Sequence, residues 1–196
     1  MKELFGIIIF LIISYYCFKF VRVMVKMRKN NILPITEEER VSLRMYPQKP
    51  VAFPKYSTQK LGIGFYLFAL LFAFVMFFLG SFAHEADWYF YLFIIIPLIN
   101  TRNVFNLFSI VEDGVVGGST FIPWKRIKSY EFVPITINHR YYGFSDEVNA
   151  GQELVIKGKL LSIKCLVTTD EMKEKITGII EERTKAESDK KTKKAR

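Results

Sequence analysis

The sequence predicts an α+β membrane protein: three transmembrane helices, then a small antiparallel β domain capped by a C-terminal helix. Three observations predict it. Residues 61–82 form a 22-residue run without a single charged side chain. Two further apolar runs, 4–18 and 88–101, lie before and after it. From Val104 onward the pattern changes to short β-branched and aromatic stretches punctuated by Gly and Pro, followed by one amphipathic helical stretch. The chain has 196 residues and a formal net charge of +9, and half of it is hydrophobic, with 19 Phe and 10 Tyr. That composition excludes a disordered or collagen-like chain.

The first helix is expected over residues 1–26. Leu4 to Phe18 is apolar, and Phe20, Val21 and Val23 to Val25 extend it between Lys19, Arg22 and Lys26. Basic side chains at a helix end snorkel to the membrane interface. A cleaved signal peptide is the rival reading. It is disfavoured because Met1-Lys2-Glu3 is barely positive and no small-x-small cleavage site follows. The second helix, 61–82, has the roughly 20 apolar residues a bilayer core requires. The third, 88–101, is shorter and covers about 21 Å as a helix. Trp88, Tyr89 and Tyr91 supply an aromatic belt at one end and Arg102 a basic anchor at the other, with Pro97 as a kink site.

Charge sets the orientation. Residues 19–60 carry ten basic and three acidic groups, whereas the hairpin 83–88 carries only Glu85 and Asp87. The positive-inside bias places segment 27–60 in the cytoplasm, with the N-terminus and the hairpin outside and residues 102–196 cytoplasmic. The expected location is therefore the cell membrane, multi-pass. Anionic lipid headgroups are one expected partner of the basic cluster Lys19 to Lys29, although topology alone accounts for that charge.

Segment 27–60 reads as a basic, Pro-containing loop, since Pro34, Pro47, Pro50 and Pro54 block any long helix. Thr36 followed by Glu37-Glu38-Glu39 reads as an N-cap with an acidic first turn, giving a short helix to about Tyr46, and Pro47 to Ser57 reads as extended. On the second helix Gly62, Ala69, Ala73 and Gly80 fall on one stripe. Small residues allow close helix approach. The stripe is a candidate packing seam, either for helices of this chain or for a second copy.

The β domain is expected over 102–182. Val104 to Val111 reads as a strand, and Asp113-Gly114 as a turn. Val115-Val116 leads through Gly117-Gly118 into a strand over Ser119 to Trp124. Ile127 to Ile137 reads as a strand broken near Pro134. His139 to Gly151 reads as a polar loop with a short strand at Arg140 to Phe144. Glu153–Lys157 and Leu160–Val167 form a hairpin around Gly158, with Leu161, Ile163, Cys165 and Val167 in period-2 alternation. Thr168 and Glu171 fit a capping box, and Met172, Ile176, Ile179 and Ile180 make one apolar helix face. The tail 183–196, with seven basic and two acidic groups, reads as disordered.

The run Val111-Glu112-Asp113-Gly114-Val115-Val116-Gly117-Gly118, then Phe121-Ile122-Pro123-Trp124-Lys125-Arg126-Ile127-Lys128-Ser129-Tyr130, resembles the start of bacterial PH-like domains that follow transmembrane helices in multi-pass membrane proteins. The resemblance covers about residues 100–182. It implies a curved sheet or partial barrel closed by the C-terminal helix, and a binding or assembly module rather than an enzyme. A full PH fold has more strands than the five clear ones read here, so the resemblance implies a shortened variant. No phosphoinositide-binding pattern is visible, and that recognition is not carried over.

Trp124 reads chiefly as a core residue. Lys125, Arg126 and Lys128 form a basic turn, either a solvated hairpin end or a contact for membrane or partner. Cys17 and Cys165, like His84 and His139, lie far apart, so no disulfide framework or metal cluster is expected. No nucleophile elbow or phosphate loop is present, so neither catalysis nor a cofactor is expected. Nucleic-acid binding is not expected from a Lys-rich tail beside a membrane. The leading expectation is a membrane protein presenting a cytoplasmic interaction or assembly module to an unknown protein partner. The alternative is an accessory subunit of a transport or envelope complex, holding its partner through the small-residue stripe. A homo-oligomer is compatible with either.

Overall fold

A computed structural model describes residues 2–28, 30–82, 90–101 and 104–194. The hairpin 83–88 and the aromatic residues 88–89 lie outside the described residues. Helix α1 spans Lys2–Met27 and α3 Lys60–Phe82, and both are long and apolar enough to cross a membrane. Helix α4 is described over Phe90–Asn100, with Pro97 inside it. Large apolar side chains such as Phe10, Leu11, Phe65, Phe68, Leu71 and Phe93 are exposed on these helices.

The segment read as a loop is part of the β structure. It supplies strand β1 (Asn31–Leu33), helix α2 (Glu37–Val41) and strand β2 (Leu43–Arg44). Thr36 caps α2 as expected: its hydroxyl accepts from the Glu39 N–H at 3.3 Å, and the Glu39 carboxylate accepts from the Thr36 N–H at 3.2 Å. The helix stops at Val41 rather than near Tyr46, because Leu43 and Arg44 pair with Val167 and Leu166. Pro47 to Ser57 is not extended throughout. It opens with a turn closed by a Tyr46–Lys49 bridge.

Six further strands follow: β3 (Phe108–Val111), β4 (Gly114–Gly117), β5 (Thr120–Pro123), β6 (Ile127–Pro134), β7 (Gln152–Gly158) and β8 (Ser162–Val167). They form two four-stranded antiparallel sheets, in the orders β1-β3-β4-β5 and β2-β8-β7-β6. Each sheet takes its first strand from the segment between α1 and α3. The strand expected at Arg140 to Phe144 is a series of turns, followed by helix α5 (Asp146–Ala150). Ser145 caps it by accepting from the Val148 N–H at 3.2 Å.

Helix α6 runs from Asp170 to Lys194. Its cap is Thr169, whose hydroxyl accepts from the Met172 N–H at 3.4 Å. Thr168, read as the cap, instead bonds to Ser42, just before β2: its N–H donates to the Ser42 carbonyl at 3.0 Å, and its hydroxyl donates to the same oxygen at 3.3 Å. The segment from Arg183, read as disordered, continues this helix. Lys, Glu and Ala favour helix when no β-branched run opposes them.

The β core lies between the two sheets and α6. It gathers Leu33, Leu43, Phe108, Ile110, Val115, Ile122, Leu154, Ile156, Ile163 and Cys165 with Met172, Ile176 and Ile180. The opposite face of the first sheet is also covered. Val111, Val116 and Phe121 join Val23, Met27, Tyr66, Leu98 and Phe105 in a second cluster formed with the helices. Burial on both faces explains why β3 and β4 read as continuous apolar and small residues instead of alternating.

Candidate functional site

The junction of α1 with the first sheet brings charged and aromatic side chains together. One turn of α1 separates Arg22 from Lys26, so both project from the same side of the helix. Both lie over the Phe121 ring of β5, the Arg22 guanidinium at 4.6 Å and the Lys26 ammonium at 4.7 Å from its centroid. Lys26 also forms an ion pair with Asp113 of the β3–β4 turn. Cation–aromatic contacts and one ion pair thus fasten the basic end of α1 to the sheet.

The predicted basic turn comes to the same place only in part. Trp124, Lys125 and Arg126 form a single 3₁₀ turn between β5 and β6. Trp124 is buried, and its Nε1–H donates to the Glu112 carbonyl at 2.9 Å. Its side chain is therefore structural. Lys125, Arg126 and Lys128 are exposed. Arg126 faces Arg22 across a cavity of about 410 Å³, whereas Lys125 borders a neighbouring recess that also includes Asp113, and Lys128 lines neither.

The cavity itself lies between α1, β5 and the tip of the β7–β8 hairpin. Its apolar walls come from Tyr15, Phe18, Val23, Phe121, Ile122 and Leu160. Its charged lining is Lys19, Arg22, Arg126 and Lys159. Sequence reasoning took the hairpin tip only as a turn around Gly158. The signal that marks it is an apolar pair, Leu160-Leu161, placed directly after Lys159 at a turn. Leu160 is 95 % exposed.

The small-residue stripe points inward. Gly62, Ala69, Ala73 and Gly80 are all buried within the chain. A Cβ at Gly62 would stand 2.8 Å from Phe105 Cδ1, so that glycine is where the segment after α4 packs onto the start of α3. Tyr66, on the same face, is fully buried and donates its hydroxyl to the Tyr16 carbonyl of α1 at 3.2 Å.

Among the described residues, no group of His, Cys, Asp and Glu is arranged to hold a metal ion. Cys165 is fully buried in the β core, where desolvation holds its thiol well above the ordinary range. The chain matches no protein-family model, no curated protein and no solved structure. The class these features define is an α+β protein with two apolar helices of membrane-crossing length, two antiparallel sheets and a C-terminal helix.

Proposed function

We propose that the chain is a multi-pass cell-membrane protein that presents a cytoplasmic PH-like module for protein interaction or assembly, without catalytic activity. One observation carries the reading. Segment 31–44 and residues 104–167 share the same two sheets. The chain after α1 and the chain after α4 therefore lie on one side of any bilayer that α1 and α3 cross. Two crossings alone would separate them, so in this reading the chain returns through the membrane, with α4 as the proposed third span. Its short length is accommodated by local thinning of the bilayer and by interfacial anchoring. The basic groups Lys19, Arg22, Lys26 and Lys60 mark the domain side as cytoplasmic.

Two four-stranded antiparallel sheets closed by a C-terminal helix are compatible with a PH-like architecture. Strand β6 ends the second sheet, and most of its side chains are exposed or half-buried. An edge of this kind accepts a partner strand. The accessory-subunit reading is weaker, because the stripe it needs is covered by the chain itself.

Thiol labelling of intact cells tests the placement. In a Cys17→Ser background, Glu85→Cys should react with a membrane-impermeant maleimide from outside. Lys49→Cys and Lys128→Cys should react only after lysis. Labelling of Lys49→Cys and Lys128→Cys on opposite faces would refute it. A photo-crosslinking side chain at Ser129, on β6, should then give a discrete protein adduct in cells; none at that edge would remove the interaction role from β6.

A further inference from the structure

We infer that the cavity between α1 and the β5 and β7–β8 edges holds one anionic phospholipid from the leaflet facing the β domain. Its phosphate sits between Arg22 and Arg126, and an acyl chain lies against Phe18, Phe121 and Leu160. The inference rests on the membrane placement proposed above.

Charge complementarity is the first argument. Four charged side chains line the cavity, Lys19, Arg22, Arg126 and Lys159, and all four are basic. They come from three separate parts of the fold: α1, the 3₁₀ turn and the β7–β8 tip. Arg22 and Arg126 also border both neighbouring recesses, so the two guanidiniums face a common space. Asp113 and Glu187 border one of those recesses but not the cavity, so the cavity's own lining, whose charges are all basic, is what favours an anion, and a phosphate matches the planar fork of Arg. Lys26 pairs with Asp113 and stands outside this cavity.

The second argument is the amphipathic character of the walls. Apart from the four basic groups the lining is largely aromatic and aliphatic, and the cavity's volume of about 410 Å³ falls in the range of ligand sites. A free phosphate or a soluble anion would leave this apolar surface wet. A phospholipid matches both halves at once. The third argument is Leu160, 95 % exposed at the tip of a hairpin that lines the same cavity as Tyr15 and Phe18 of α1. Beside a helix that crosses a bilayer, a Leu there enters the acyl region while Lys159 stays with the headgroups.

The test uses the full chain. Resistance of the membrane-bound protein to alkaline carbonate is measured first, and extraction by carbonate would overturn the placement itself. The carbonate-resistant protein is then purified in detergent and examined by native mass spectrometry with dioleoylphosphatidylglycerol or dioleoylphosphatidylcholine. One phosphatidylglycerol should be retained under conditions that shed phosphatidylcholine. Arg126→Gln, at an exposed position, should lower that affinity about fivefold, and Arg22→Gln by a similar factor. Leu160→Gln should also weaken retention, whereas Lys128→Gln, an exposed base outside the cavity, should leave it unchanged. Thermal unfolding of Arg126→Gln at the wild-type midpoint establishes that the fold is intact. Equal retention of the two lipids, equal losses in Arg126→Gln and Lys128→Gln, or a second copy of the chain crosslinked through Leu160 in place of lipid would overturn the proposal while leaving the membrane placement standing.

Discussion

Glu153 shows how a single buried charge is tolerated in the second sheet. It is 4 % exposed on β7, yet it accepts hydrogen bonds from Arg140 at 2.9 Å and Lys164 at 3.0 Å, with His139 Nε2 at 3.7 Å. Burial pushes its carboxyl up, but Lys164 and Arg140 pull further in the other direction, so it stays below the ordinary carboxylate range. A depressed folded value means that the native state favours the ionised form. Its stabilisation is present above the unfolded value of about 4.3 and is lost as pH falls through the folded one. Glu153→Gln should therefore flatten the acid side of the stability profile below about pH 4.5 and cost about 1–3 kcal/mol at neutral pH, read by thermal unfolding in detergent. Gly117 is constrained by close approach. A Cβ there would lie 2.2 Å from Ile163 Cγ2 on the opposite sheet. Gly117→Ala should cost about 1–3 kcal/mol, and the Gly117→Ala/Ile163→Ala pair should cost less than the sum of its parts.

At the scale of elements, legibility followed exposure and length. The β7–β8 hairpin is readable because Ile163, Cys165 and Val167 alternate along β8 with Ser162, Lys164 and Leu166, the last of which is buried on the other face. Strands β1 and β2 are three and two residues long, too short to show any period. They exist because their partners supply the hydrogen bonds: Leu33 pairs with Ile110, and Leu43 with Val167. Helix α5 was missed although Ser145-Asp146-Glu147 is a cap with an acidic first turn. The one-residue shift of the α6 cap has a tertiary cause, since Thr168 is held by the Ser42 carbonyl. Leu43 is fully buried in the β core. Leu43→Ala should therefore destabilise the domain by about 2–5 kcal/mol and speed proteolysis within β8 and α6, which a mere connecting loop would not do.

Across the whole molecule, the β domain is docked, not tethered. The first sheet presents Val116 and Phe121 to the ends of α1, α3 and α4, and Val116 is 1 % exposed. Were the domain hanging free below the helices, Val116→Asp would be nearly neutral. In this arrangement it buries an unpaired charge, and it should lower the thermal midpoint markedly and increase hydrogen exchange in both β4 and the adjoining turns of α3. Equal exchange in variant and wild type would contradict the docking.

The sequence by itself determined the apolar helices, the positive end of α1, most strands of the β domain and the inward face of the final helix, because each rests on a local period or a run of composition. Tertiary structure alone decided that the segment between α1 and α3 completes both sheets, that the small-residue stripe is covered from within, and that Arg22 and Arg126 face one cavity. The physical reason is that strand pairing and cavity formation join residues distant along the chain, and no local pattern of side chains records which distant partner will be met.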